Sequence, residues 1–188
     1  TPNYQYVAGR LINYHLRKQV YNTFEPPCLC DIIQDNIDAG FYDAEFTKLY
    51  TKEEINELND FIKHERDEVL TYAAMEQFRG KYLVQNRATG KIFETPQVAY
   101  MMIAATLFSK YPAETRMSYV KAYYDAISTF KISLPTPVMA GVRTPQRQFS
   151  SCVLIETDDS LDSINATSSA IAKYVSQKAG IGIGAGSI

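Results

Sequence analysis

No stretch of this sequence approaches the roughly 20 consecutive apolar residues that a membrane-spanning helix needs. The opening residues, Thr1-Pro2-Asn3-Tyr4, lack the basic region and apolar stretch of a signal peptide. No membrane partner is expected, and the sparse cysteine usage makes a reducing, cytoplasmic compartment the default. Basic charge is also short. With 19 Lys and Arg against 21 Asp and Glu, the net charge is −2, and no positive field is available to hold a nucleic-acid backbone. Single nucleotides stay admissible as ligands, because a few donors and one helix terminus suffice for them. The three cysteines, Cys28, Cys30 and Cys152, are too few and too unevenly placed for a disulfide framework. In a reducing compartment such thiols are inert core residues, metal ligands or redox catalysts. What remains is ordinary for a globular protein: 46% hydrophobic and 21% charged residues over 188 positions, enough to bury a sizeable core.

Along the chain, apolar spacing predicts a helix from about Asn3 to Tyr21, stopped by Glu25-Pro26-Pro27. A second helix is expected from Cys28 to Ala39, ending at Gly40. Thr51-Lys52-Glu53-Glu54 is a capping-box pattern opening a helix to about Glu65, with Ile55, Leu58, Phe61 and Ile62 inward. Another helix is expected from about Glu68 to Phe78. The period then changes to alternation: Tyr82 to Gln85 and Lys91 to Glu94 flank Arg87-Ala88-Thr89-Gly90 and predict a β-hairpin. Pro96 starts an apolar helix through Phe108. Pro112 starts another through about Phe130, with Met117, Val120, Tyr124 and Ile127 as its buried stripe. Prolines make Ile132 to Pro137 extended, and Arg143 to Gln148 reads as a polar loop. Val153-Leu154-Ile155 is a continuous apolar run, as in a strand buried on both faces. A helix carrying Ile164, Ile171, Tyr174 and Val175 then ends at Gly180, and Ile181 to Ala185 forms a second strand. Strand, helix, strand in that order predicts a parallel βαβ unit. The chain opens directly into helical periodicity without an initiator methionine and closes on a glycine-rich strand pattern with nothing after it to pair with, so it reads as a segment of a longer polypeptide.

Several residues invite a chemical reading, each with a plainer one beside it. Cys152 heads an apolar strand, where a cysteine serves equally as a small core residue. It also follows a polar loop, with Thr136, Ser150 and Ser151 near in sequence, where strand termini meet ligands. Local sequence leaves both readings open. Cys28-Leu29-Cys30 lacks a second ligand pair at zinc spacing, so a helix pair without metal is expected. The run Gly180 to Gly186 lacks the lysine and hydroxyl residue of a phosphate loop and follows a helix rather than a strand. It reads as a helix stop leading into a strand where backbones approach closely. Asp159-Ser160 supplies helix-capping side chains, although a helix start beside a carboxylate also suits a ribose or a base edge. His15, Arg17 and Lys18 form either a solvated helix face or a phosphate-binding trio.

Taken together, Ile132-Ser133-Leu134-Pro135-Thr136-Pro137, Gly141-Val142-Arg143-Thr144-Pro145, Arg147 to Ile155, Asp159-Ser160-Leu161-Asp162-Ser163-Ile164 and Ala179-Gly180-Ile181-Gly182 closely resemble class I ribonucleoside-diphosphate reductase large subunits of the bacterial and phage aerobic type. The resemblance continues upstream through Phe24 to Pro27, Lys81 to Arg87 and Tyr123 to Ala126. It implies an α/β chain: residues 1–20 as the tail of an ATP-cone domain, 21–135 as a helical N-terminal domain with a small β-hairpin, and 136–188 as the start of a ten-stranded α/β barrel. By the same resemblance Cys152 is a redox-active thiol that forms a disulfide in each turnover with a partner far along the chain. Thr136 and Ser151 match positions at the substrate diphosphate and ribose, and Ala179 and Gly180 match backbone lining the substrate cleft. Asp159, Ser160 and Leu161 match the site where ATP or a deoxynucleoside triphosphate effector selects the base to be reduced. His15 and Lys18 match basic positions at the cone's regulatory nucleotide site. Implied partners are the rest of the large subunit, a metal-containing small subunit that supplies the radical, a thioredoxin- or glutaredoxin-type reductant, ribonucleoside diphosphates and, for the complete protein, a second copy. No cofactor or metal is expected on this chain. The thiyl-radical cysteine, its neighbouring asparagine and glutamate, and the disulfide partner all lie beyond Ile188 in the family. Gly184 stands where many relatives carry a larger polar residue. The alternative is a split or truncated nucleotide-binding module, inactive alone, that completes a shared site with another polypeptide. A helical interaction protein with no nucleotide role requires these matches to be accidental.

Overall fold

The computed structural model describes residues 3–177 and 179–187. Helix α1 spans Tyr4–Tyr21 and closes on Asn22, whose left-handed backbone lets its N–H reach the Lys18 carbonyl. Its inward face is Gly9, Asn13, Leu16 and Arg17, while Tyr4, Val7, Leu11 and Tyr14 are exposed. Gly9 allows this seating: a Cβ there would meet the Leu70 carbonyl oxygen at 2.1 Å. Helix α2, Leu29–Asp38, starts one residue later than expected and ends at Ala39, before Gly40 with φ +75. After the short α3, Phe46–Leu49, the predicted capping box opens α4, Lys52–Phe61. The Thr51 hydroxyl accepts from the Glu54 N–H, and the Glu54 carboxylate accepts from the Thr51 N–H.

The helices expected to reach Glu65 and to start at Glu68 are both shorter. A 3₁₀ segment, His64–Val69, separates α4 from α5, Tyr72–Gln77, whose cap is Thr71. A π turn, Phe78–Tyr82, leads into the hairpin, reduced to β1, Gln85–Asn86, and β2, Lys91–Ile92, paired antiparallel. The hub is α6, Pro96–Leu107, in which every residue from Pro96 to Ala105 is buried. Such all-round burial marks a helix surrounded by others. Helix α7, Ala113–Ser128, packs across it with Val120, Tyr124 and Ile127 buried. It begins after Pro112 and ends before Phe130.

One departure bears on the site. The segment expected to be extended turns helical at α8, Thr136–Gly141. Pro135 is extended and Pro137 sits in the first turn, where its missing N–H costs nothing, so the prolines start a helix. Beyond a loop, β3, Cys152–Asp158, pairs in parallel with β4, Gly180–Ser187, and α9, Leu161–Ser176, connects them. Helix α9 stops at Gln177, ahead of Gly180.

The expected βαβ unit is present, but β3 is not buried on both faces. Val153 and Ile155 are half-buried and Thr157 is buried, whereas Leu154 is 84% exposed. Helix α9 covers one face, with Thr157 Oγ1 2.9 Å from Thr167 Oγ1. Among the described residues nothing covers the other. The described residues are thus mostly helical, with two two-stranded sheets among them. No helix among the described residues is long and apolar enough to cross a membrane.

Candidate functional site

The parallel pairing of β3 with β4 places Cys152 opposite Gly180, at the amino ends of both strands. The Gly180 N–H donates to the Ser151 carbonyl at 2.7 Å, and Ser151 Oγ lies 3.5 Å from Cys152 Sγ. Ala179 is buried just before the strand. A Cβ on Gly180 would lie 3.4 Å from the Ser151 carbonyl oxygen and 3.9 Å from Cys152 Sγ, in ordinary contact with the thiol. Ser151, Cys152, Ala179 and Gly180, 27 positions apart at their nearest, are brought together by backbone pairing. Cys152 is a free, exposed thiol. Thr136, at the first turn of α8, is exposed and shares no hydrogen bond with Ser151 or Cys152 among the described residues.

The other predicted group sits at the far end of the same strand. Ser160 is the N-cap of α9, its hydroxyl accepting from the Ser163 N–H at 3.1 Å, while the Asp158 N–H donates to Ser163 Oγ at 2.9 Å. Asp159 is exposed and Leu161 is 79% exposed. These residues occupy the carboxyl end of β3, the end at which open α/β sheets bind ligands. At the rise of a strand they lie roughly 20 Å from Cys152. Cys152 departs from that rule, since it stands at the amino end.

His15 and Lys18 are both exposed on α1. Lys18 Nζ donates to the Asn22 carbonyl at 3.2 Å and lies over the Phe24 ring, so it also caps the helix end. Arg17 does not complete a phosphate trio. One residue along a helix turns the side chain by about 100°, and Arg17 points inward, where its Nη2 donates to the His64 carbonyl at 2.9 Å. Cys28 and Cys30 are partly buried at the start of α2.

Nine residues before the thiol begins a network that a polar-loop reading of Arg143 to Gln148 misses. The Arg143 side chain is wholly buried. Its Nε and Nη2 grip the Glu94 carboxylate, Nη1 donates to the Met139 carbonyl at 2.7 Å, and Nη2 donates to the Tyr82 carbonyl at 3.0 Å. Glu94 further accepts from Tyr42 Oη at 2.5 Å and from the Val84 N–H at 2.6 Å. Burial works against the arginine's charge, yet Glu94 alongside holds its pKa above the ordinary value. Burial first, and then the Glu94 charge, push the Tyr42 hydroxyl well up. The signal in the sequence is helical phase. Arg143 falls four residues after Met139, on the buried face of α8 continued, but proline had argued against a helix there.

The arrangement offers an exposed thiol beside a hydroxyl and open backbone, with a buried ion pair at the start of the loop that leads to it. Residues 68–147 match the family model described as ribonucleotide reductase, all-alpha domain. The chain is 62% identical over 187 residues to the ribonucleoside-diphosphate reductase 1 subunit alpha of Escherichia coli (strain K12). It is 61% identical over 188 residues to the ribonucleoside-diphosphate reductase subunit alpha of Haemophilus influenzae, and 51% over 187 residues to that of Enterobacteria phage T4. Each match takes in 100% of this chain and 25% of the relative, so the chain spans about a quarter of the length of these proteins.

Proposed function

We propose that this chain, which belongs to the family of ribonucleoside-diphosphate reductase alpha subunits, forms one wall of a site that reduces ribonucleoside diphosphates to deoxyribonucleoside diphosphates. The observation that supports this most is the pairing of Cys152 with Gly180, which leaves a free exposed thiol beside Ser151. In this reading Ser151, Ala179 and Gly180 line the ribose, and Thr136 meets the diphosphate. Cys152 protonates the departing 2′-hydroxyl, which leaves as water. Cys152 and a second thiol outside this chain then give up two electrons and close a disulfide. A thioredoxin- or glutaredoxin-type dithiol reduces it again by exchange. The radical that starts the reaction comes from a separate metal-containing small subunit.

The β3-α9-β4 unit opens a ten-stranded barrel in this reading, and the exposed face of Leu154 is covered by the rest of it. Asp159, Ser160 and Leu161 hold the triphosphate effector. The free amides of the α9 start favour an anion there, and a second copy of the subunit completes the assembly. His15 and Lys18 belong to a regulatory nucleotide site on the preceding domain. The complete protein works in the cytoplasm.

The test is Cys152→Ser in the complete enzyme. Dithiol-dependent turnover should be lost with ribonucleoside diphosphate binding retained; turnover near the parent's would refute the redox role.

A further inference from the structure

The ten residues from Val142 to Ser151 join α8 to β3 without helix or strand, and yet they must deliver Ser151 and Cys152 to one place. We infer that Asp43 and Arg147 are positioning residues for that end of the candidate site, an assignment that rests on the reading of Cys152 and Ser151 as substrate-facing.

Asp43, between α2 and α3, grips the loop at two points. Its N–H donates to the Arg143 carbonyl at 3.0 Å, and its Oδ2 accepts from Arg147 Nη2. The carboxylate is itself immobilised, because Oδ1 accepts from the Glu45 N–H at 3.0 Å. That backbone donor is the largest cause holding its pKa below the usual range, with Arg147 adding to it. Arg147 in turn clasps its own loop, Nη1 donating to the carbonyls of Thr144 and Gln146, each at 3.0 Å. The arginine thus closes the turn as well as tying it to Asp43.

Beyond the clasp the chain stays fixed through short steps. Phe149 is partly buried against the core, Gln148 brackets Ser150 through N–H and carbonyl, and the Ser151 carbonyl accepts from Gly180. The buried Arg143–Glu94 pair anchors one end and β4 the other, and the clasp sets the slack between them. Arg147 is 63% exposed and Asp43 24%, so the pair does little for stability. Ser151 lines the ribose in this reading, so slack in the segment that carries it falls on substrate binding. An exposed pair that contributes little to stability and sits four residues before a ribose-lining hydroxyl suits a positioning role.

The experiment uses the complete large subunit with its small subunit and dithiol reductant. Arg147→Ala and Asp43→Asn should each raise KM for a ribonucleoside diphosphate about three- to tenfold, as for one weakened substrate contact, while kcat, triphosphate effector affinity and the melting midpoint stay near the parent's. Arg147→Lys, which keeps one charged donor, should recover part of the KM. A partly inactive preparation would lower kcat at constant KM, so the KM shift separates positioning from damage. Parent-like KM in both variants, or a loss that tracks a fallen melting midpoint, overturns the assignment. Cys152→Ser serves as the control. If it keeps turnover, the site reading fails and takes this inference with it; if it loses turnover while Arg147→Ala is parent-like, the positioning role alone fails.

Discussion

Raising the pH from about 5 to 8 should destabilise this fold through one carboxyl group, that of Asp67. It is fully buried, and Gln97 Nε2 donates to its Oδ1 at 2.9 Å, while Oδ2 has no hydrogen-bond partner and lies 3.9 Å from Arg17 Nη2. Burial pushes its pKa up from 3.8 to about 7, against the opposing pull of Gln97 and Arg17. The folded state therefore holds its proton more tightly than the unfolded chain does. The associated stability is fully present below the unfolded value and is lost as pH rises through about 7. At about 1.4 kcal/mol per pH unit the full difference is about 4 kcal/mol, of which about 2.5 kcal/mol falls between pH 5 and 8. Asp67→Asn removes the titration and keeps the acceptor for Gln97. In urea unfolding of the chain across that range, the variant should gain on the parent by about 2–3 kcal/mol. His64, whose pKa is lowered to about 4 first by burial and then by Arg17, acts in the opposite sense. Its contribution is full above about 6.5 and falls away as pH drops toward 4, but it is common to both proteins and cancels in the difference. Parallel stability curves for parent and variant would refute the buried-acid argument.

Arg143→Met leaves Glu94 charged and buried with its main partner gone, and about 3–5 kcal/mol of stability should be lost in urea unfolding; a loss below about 1 kcal/mol would mean that the site is wetter than the structure has it. Gly9→Ala forces a methyl group against the Leu70 carbonyl oxygen, so α1 should lift from its seat at a cost of about 1–3 kcal/mol. Limited proteolysis within the first 21 residues should speed up accordingly. Asp159→Ala in the complete enzyme should weaken triphosphate effector affinity and leave ribonucleoside diphosphate KM unchanged with no effector present; unchanged affinity in equilibrium binding would refute the effector assignment.

Much of the local punctuation was legible in the sequence because it depends on neighbours a few residues apart. The Thr51–Glu54 capping box, the start of α6 at Pro96 and the turn between β1 and β2 are of this kind. The βαβ order was legible for the same reason, whereas the register that sets Gly180 opposite Cys152 was not. The inward face of α1 was not. Its tyrosines and leucine suggest an apolar seat, but Gly9 faces the core where the Leu70 carbonyl leaves no room for a side chain, and Arg17 where the His64 carbonyl and the buried Asp67 carboxylate receive its charge.

The sequence alone determined the order of the elements and the resemblance that gave Cys152, Thr136 and Asp159 their expected roles. Only the tertiary structure decided where the charges of Arg143 and Asp67 reside and that the thiol is exposed. It also decided that the thiol and the α9 cap stand at opposite ends of one strand. The reason is separation along the chain. Arg143 is buried because Glu94 stands 49 residues earlier, and a guanidinium enters a core only where a partner offsets its desolvation. No local pattern encodes that partner, so the burial of a charge becomes visible only when the chain has folded back on itself.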